Sequence, residues 1–467
     1  MNELNHFSNT LNNNLAFSSN DISDSQDDII YPKEPYDITK TTEIDFEDKL
    51  TWGGLFSHDP AIYFDETSGY YYTYSTDAGP KSNKYPGGQI RRSKDLIHFE
   101  YIGEALADGI PEEVKNHTNA VGVWAPDIIK VDGEYRLYYS CSTFGSRVSA
   151  ISLATSESPE GPFIHKGIVV KTTEKSPVNA IDANLVLDEE TKEQYLLYGS
   201  FWDGIRMLKL DPKTGFSVDE GYGIRIASRN ASVDRAIEGP YIRYNKETKY
   251  YYLFVSFESL SNHYNVRVGR SKNITGPYLD FHGLEMTDLI SPANEVGLKI
   301  TTGYSFKKDT GWIALGHNSV LNQNNDWYMV CHARYENNHH LHNLNVRKMF
   351  FTKDGWPLIS PCLYSGEVLQ NIPAKHIIGN YARIDFKNEV DQLYNTPVTM
   401  TLENDNTFHY NQISGTWTLE GFTLTLSYEN TKEEFIILPS WDYEEWKETL
   451  AITGMNQDGK CIWGKKL

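Results

Sequence analysis

Residues 58–77 read HDPAIYFDETSGYYYTYSTD. Two strand-like runs flank an acidic, glycine-ended turn, DETSG, the pattern of a β-hairpin. The second run, YYYTYSTD at 70–77, has four successors along the chain: YRLYYSCS at 135–142, QYLLYGSF at 194–201, YYYLFVSF at 250–257 and WYMVCHAR at 327–334. Each is preceded, as the first is, by a shorter segment and a turn: WAPDIIKVDGE, IDANLVLDEETKE, IEGPYIRYNKETK and GHNSVLNQNND. The runs start 65, 59, 56 and 77 residues apart, room for one four-stranded propeller blade of about 40–50 residues plus its loops. Five repeats predict five blades.

If the first strand of each hairpin lies nearest the propeller axis, Asp59, Ala125, Asp182, Glu238 and His317 fall at matching positions where those strands enter. Inner strands converge on one channel, so three carboxylates and a histidine far apart in sequence become neighbours. A single acidic residue near a strand end ordinarily faces water or caps a turn. Three in register, each beside small or turn-forming residues in HDPA, IDAN and IEGP, predict a functional cluster. The chemistry it suits is cleavage of a glycosidic bond. That reaction needs one protonated carboxylic acid at the leaving oxygen and one ionised carboxylate acting on water or on the anomeric carbon. A third carboxylate raises the pKa of the acid by like-charge repulsion.

After about residue 370 the pattern changes. TPVTMTLENDNTFHYNQ, GTWTLEGFTLTLSYEN and EEFIILPSW alternate with period two between Asn, Asp and Gly turns, which predicts a second, smaller β domain. The expected organisation is a flexible acidic arm over 1–48, a propeller over 49–372 and a β-barrel or sandwich over 373–467, all-β throughout. Only EEVKNH at 112–117 and YEEWKE at 443–448 read as helix.

The chain has 467 residues, of which 63 are acidic and 43 basic, a net charge of −20. Such a surface repels phosphate backbones and anionic lipid, and no basic cluster offsets it, so neither nucleic acid nor a membrane is an expected partner; a neutral ligand is. No feature points to an obligate protein partner. Cys141, Cys331, Cys362 and Cys461 form no CxxC pair and read as reduced core thiols. No apolar stretch is long enough to span a bilayer, and the first thirty residues hold no Lys or Arg to start a signal peptide. The expected location is the cytoplasm, or outside the cell if a leader has been removed.

Trp124 in WAPD, and Phe201 and Trp202 in FWDG, are candidate platforms for the apolar face of a sugar ring. Asp127 falls two residues past the register position and reads as structural. Arg347 in LNVRKMFF is a candidate for binding a substrate hydroxyl, with pairing to a blade acid as the alternative.

The segments HDPAI, GVWAPDI, IDANL, YGSFWDGI, IEGPYI, GHNSV, HARY and VRKMFFTKDGWP, in order over about residues 55–365, resemble glycoside hydrolase family 43. YGSFWDGI and the stretch from GHNSV to DGWP most resemble its α-L-arabinanases, and the C-terminal GMNQDGKCIWGKK resembles the accessory barrel of the two-domain arabinanases. The resemblance implies a five-bladed propeller that hydrolyses α-1,5-linked arabinan or arabino-oligosaccharides with inversion. It makes Asp59 the general base, Glu238 the general acid and Asp182 the residue that orients the acid and holds its pKa up. It also places a calcium ion near His317. On the residues alone a lone histidine predicts calcium poorly, because calcium prefers oxygen, and a satisfied core histidine is the alternative. Asp203 stands where arabinanases often carry a small polar residue, and the insertion GPKSNKYPGG at 79–88 bears on one end of the groove. An exo-acting α-L-arabinofuranosidase or β-xylosidase, and a non-catalytic sugar-binding propeller, remain open alternatives.

Overall fold

The computed structural model describes residues 28–35, 44–80, 86–218, 220–307, 310–390 and 392–467. Residues 1–27 and 36–43 of the expected arm, and 81–85 of the first-blade insertion, lie outside them. Five antiparallel sheets, each of four strands consecutive in sequence, follow one another. Their innermost strands are His58–Asp65, Trp124–Val131, Asn184–Leu187, Ile237–Asn245 and Trp312–Gln323. The five aromatic runs form the second strands: Tyr70–Thr76, Glu134–Cys141, Gln194–Tyr198, Tyr250–Phe257 and Asp326–Tyr335.

Those runs are apolar on both sides because each blade is packed between two others, so alternate residues serve opposite neighbours. Tyr72 and Tyr74 face the second blade, whereas Tyr71 faces the fifth. Leu196 and Tyr198 look back to the second blade while Tyr195 and Leu197 look on to the fourth. Tyr252 and Phe254 face the fifth blade, and Tyr251, Leu253 and Val255 the third. Where the ring closes, the segment before the first blade pairs with the last only through the bridge of Leu55 with Asn343 among the described residues. Ile62 and Leu96 of the first blade pack on Leu321, Tyr328 and Val330 of the last. Across that seam the Ser319 hydroxyl donates to the Pro60 carbonyl at 2.8 Å and accepts from the Ile62 N–H at 3.0 Å.

Eight further strands, from Gly379–Asp385 to Cys461–Lys466, form a barrel closed by pairing of the first with the last. Its interior is filled by side chains such as Tyr381, Met400, Phe408, Trp417 and Phe435. The barrel docks on the fifth blade through Ile384, Phe386 and Trp463, and the Trp463 indole N–H donates to the Ile359 carbonyl at 2.7 Å. The last blade strand ends at Ile359 and the first barrel strand begins at Gly379, so the expected division at 372/373 falls in the linker.

Three local expectations meet different outcomes. Glu112–Thr118 is helical, but 443–446 is the turn between strands Thr431–Asp442 and Lys447–Asn456. There Asp442 Oδ1 accepts the N–H groups of Glu444 and Glu445 at 3.0 and 3.2 Å, a local alternative that competes with a helix. The described stretches of the arm, 28–35 and 44–48, both make contacts: Ile29 and Tyr31 pack on the barrel, Trp446 donates to Glu34 Oε1 at 2.5 Å, and Ile44 packs on the cluster of Trp52, Leu55 and Phe56. All four cysteines are buried and free.

Candidate active site

The inner strands share a kink. Register breaks after His58, Trp124, Glu238 and Gly316, each followed by two residues without a cross-strand partner. The first of those two is left-handed every time: Asp59 (φ 54°), Ala125 (34°), Gly239 (58°) and His317 (46°), joined by Asp182 (64°) just ahead of the third inner strand. A left-handed non-glycine residue is strained by of the order of 1 kcal/mol or more, and such strain gathers at functional sites. The kink turns these residues into the channel. Glu238 is therefore one residue earlier than the predicted register, and Gly239 holds the equivalent place. Glycine suits it doubly, since a Cβ there would meet the His317 ring at 3.1 Å in a left-handed backbone.

A second pattern locks the kink. At four junctions a second-strand side chain accepts the N–H of the next blade's left-handed residue: Thr76 from Ala125 (2.8 Å), Ser140 from Asp182 (3.0 Å), Ser256 from His317 (2.7 Å) and His332 from Asp59 (3.2 Å). At the remaining junction Ser200 donates to Glu238 Oε2 at 2.7 Å, and the Gly239 N–H goes to Asp182 Oδ2 at 3.0 Å.

Asp59, Asp182, Glu238 and His317 all line one cavity of about 1180 Å³ opening along the axis. The three carboxylates are buried, at 8, 6 and 7 % exposure. Asp59 Oδ2 accepts from His58 Nδ1 at 2.7 Å and from the Thr76 hydroxyl at 2.6 Å, and Oδ1 accepts from His317 Nδ1 at 3.0 Å. Burial alone would raise this carboxyl, but His317 and His58 override it and hold Asp59 well below the ordinary range, hence ionised. Asp182 has no such partner. Burial pushes it up to about 7 against the pull of His317, and the charges of Glu238 and Asp59 add to the rise. Burial also raises Glu238, opposed by hydroxyl donors, Tyr264 to Oε1 and Ser200 to Oε2. His317 is raised to about 9: burial disfavours its charge, but Asp59 and Asp182 stabilise it. One carboxylate held low thus shares the cavity with two that burial pushes up, the division of labour that acid–base hydrolysis needs.

The remaining predicted residues divide. Trp124, Phe201 and Trp202 line the cavity, and Trp202 stacks under the Arg147 guanidinium at 5.2 Å. Arg347 does not line it. It is fully buried where the barrel docks, donating to the Ser360 and Pro361 carbonyls and to the Tyr304 hydroxyl, with its guanidinium 5.5 Å from the Trp463 ring. It is a structural cation, and its assignment to substrate is corrected. Asp127 ties the second blade to the third, accepting from Leu185 N–H at 2.7 Å and Asn184 Nδ2 at 2.9 Å. Asp203 pairs with Arg206 and Arg225.

Residues 54–357 match the model of glycosyl hydrolases family 43, and 361–464 match a C-terminal lipocalin-like domain that accompanies it. The chain belongs to glycosyl hydrolases family 43. As a member of that family it is a glycosidase. The extracellular endo-α-(1→5)-L-arabinanase of Thermotoga petrophila is 32 % identical over 87 % of this chain and 93 % of its own. Its crystal structure superposes with a TM-score of 0.77 at 30 % identity, covering 88 % of this chain and 98 % of that one. The extracellular endo-α-(1→5)-L-arabinanase 2 of Bacillus subtilis is 30 % identical over 88 % of this chain and 92 % of its own. The Cellvibrio cellulosa α-L-arabinanase, solved with arabinohexaose, matches at a TM-score of 0.56 and 29 % identity over 65 % of this chain and 95 % of that one.

In this family 43 chain several site residues carried no signal strong enough to single them out. His58 and His332 sat inside the quoted HDPA and HARY segments, yet their rings stack at 4.1 Å beside Asp59. His332 Nδ1 accepts the Asp59 N–H, so its proton lies on Nε2, which has no partner among the described residues. Thr76 and Ser200 end aromatic runs that read as core. Tyr264 stands in no repeat position at all.

Proposed function

We propose that this enzyme is an inverting endo-acting hydrolase of α-1,5-L-arabinan. The observation that carries the reading is three buried carboxyl groups in a single cavity to which all five blades contribute, Asp59 paired with His58 and His317 while Glu238 is held by the hydroxyls of Ser200 and Tyr264. The names of the relatives supply the substrate class. In this reading Glu238 gives its proton to the departing sugar oxygen while Asp59 takes one from water, which attacks the anomeric carbon from the opposite face. Thr76 accepts from Ala125, so its one hydroxyl proton is committed to Asp59 Oδ2; with His58 on that oxygen too, the lone pair of Oδ1 not taken by His317 is left to receive the proton of the attacking water. Asp182 fixes the Gly239 turn beside Glu238, and once it ionises, near pH 7, its charge opposes loss of the Glu238 proton. Trp124, Phe201 and Trp202 offer apolar faces to the furanose rings.

Calcium belongs to the same reading. His317 Nδ1 is committed to Asp59, and Nε2 has no hydrogen bond among the described residues while lying on an open, carboxylate-rich cavity. A calcium ion there would be held by His317 Nε2, with water in the open cavity supplying the oxygen ligands that calcium prefers. Such an ion would supply fixed positive charge beside the base in place of the His317 proton. Chelation should lower turnover, and added Ca2+ should restore it. The names of the relatives also favour action outside the cell.

The test is the product distribution on linear 1,5-α-L-arabinan for wild type and Glu238→Gln. Mid-length oligomers appearing early from wild type alone support the reading. Steady release of arabinose or one short oligomer makes the enzyme exo-acting, and an active Glu238→Gln protein removes Glu238 from the mechanism.

A further inference from the structure

The C-terminal barrel is not confined to its own fold. Between its first two strands, Gly379–Asp385 and Val398–Leu402, a long connection reaches over the propeller. Lys299 Nζ donates to the Lys387 carbonyl at 2.9 Å, and Arg267, itself buried, donates to the Asn388 carbonyl at 2.8 Å. Asn395 is anchored from both backbone and side chain: its N–H reaches the Gly303 carbonyl at 2.8 Å, its carbonyl accepts from Ser305 N–H at 3.0 Å, and Nδ2 reaches Thr302 Oγ1 at 2.7 Å. Between these anchors Val390 forms part of the wall of the catalytic cavity. Leu393 and Tyr394 pack on the small cluster of Tyr264, Ile313 and Ala314. The propeller has left room for them. A Cβ on Gly303 would strike the Leu393 carbonyl at 2.4 Å, and one on Gly311 would strike the Tyr394 ring at 2.4 Å. One member of that cluster, Tyr264, is the hydroxyl donor to Glu238 Oε1.

We propose that this connection, residues 386–390 and 392–395, is a positioning element of the active site, in which Leu393 and Tyr394 hold Tyr264 against Glu238. The barrel then completes the catalytic machinery of the propeller. The inference rests on Glu238 being the general acid. Tyr264 restrains one oxygen of that acid and Ser200 the other, so a loosened Tyr264 lets the carboxyl rotate away from the sugar oxygen without altering the sugar-binding walls. The loss must then fall on kcat rather than on KM.

The experiment compares Tyr394→Ala, Tyr394→Phe, Tyr264→Phe and the double variant Tyr264→Phe/Tyr394→Ala in the full chain, with kcat and KM measured on an arabino-oligosaccharide and Glu238→Gln run alongside. Tyr394→Ala should lower kcat about ten- to a hundredfold with KM little changed, a loss of the size that misplaced catalytic groups produce. Tyr394→Phe, which keeps the ring, should recover most of the kcat that Tyr394→Ala loses. The double variant should be no slower than Tyr264→Phe alone, because both changes act on one restraint. If Tyr394→Ala does not fold, Leu393→Val carries the same test, with a smaller kcat loss that vanishes in the Tyr264→Phe background. Wild-type kcat in Tyr394→Ala, a change confined to KM, or additive losses would overturn the proposal while leaving the assignment of Glu238 intact. Turnover by Glu238→Gln would overturn both.

Discussion

Four blade junctions of this propeller are closed in one way and the fifth in another. Thr76, Ser140, Ser256 and His332 each accept the N–H of the next blade's left-handed residue. Ser200, in the same place between the third and fourth blades, instead gives its proton to a carboxylate. The same small polar group is thus architecture at one junction and electrostatics at the next. What differs is the residue it meets. Where the kink residue is glycine, the side chain that enters the cavity comes from the position before it, and the hydroxyl finds Glu238 rather than a backbone donor.

Glu238→Gln should remove this exception most completely, lowering kcat by about 10²–10⁴, the usual contribution of a positioned acid, while arabino-oligosaccharide binding persists by calorimetry. Asp182→Asn should act on the pH profile. Above about pH 7 Asp182 is ionised and its charge opposes loss of the Glu238 proton, so its removal should move the alkaline limb of kcat/KM to lower pH. The same variant has a stability signature. Asp182 is raised to about 7 in the folded protein, against about 3.9 in an unfolded chain. Its contribution to stability is therefore full below the unfolded value and lost as pH rises through about 7. Melting curves should accordingly favour Asp182→Asn over wild type more at pH 8 than at pH 5.

Ser200→Ala and Ser140→Ala set the two kinds of junction side by side. Ser200→Ala removes a hydrogen bond to the carboxyl of the general acid, worth about 0.5–1.5 kcal/mol, and should lower kcat by about tenfold with little loss of melting temperature. Ser140→Ala strands a buried N–H and should cost about 1–3 kcal/mol of unfolding free energy, read by denaturant titration, with kcat changed least of all. Equal outcomes for the two serines would erase the distinction between the junctions.

Much of this arrangement can be read from the chain. The second strands are buried on both faces, so their aromatic runs stand out and count the blades. Asp59, Asp182 and His317 share a place because each follows the same kink. Glu238 misleads by one residue, although a cue was present: proline follows Asp59, Ala125 and Gly239 alike, and aligning on it puts Gly239 in register. Arg347 and Tyr264 were not legible for a different reason. Their surroundings are set by the barrel, through Trp463 for the first and Leu393 and Tyr394 for the second, and no local spacing encodes contacts that arise when two domains dock. The turn at 443–446 reads as helix because its acidic and aromatic residues carry helical spacing, while the strands on either side decide otherwise.

The seam that closes the ring also bears on when the enzyme comes alive. The Asp59 N–H is held by His332, a partner 273 residues later in the chain, and its carboxylate is held by His317 from the same last blade. Glu238 has both of its hydroxyl donors, Ser200 and Tyr264, within the third and fourth blades. During synthesis Ser200 can therefore meet Glu238 before the last blade exists, whereas Asp59 waits for that blade and Tyr264 for the last blade and barrel packed against it. A chain truncated before the last blade would lack both His317 and His332 beside Asp59, so hydrolysis begins only when the circle is closed and the barrel has docked.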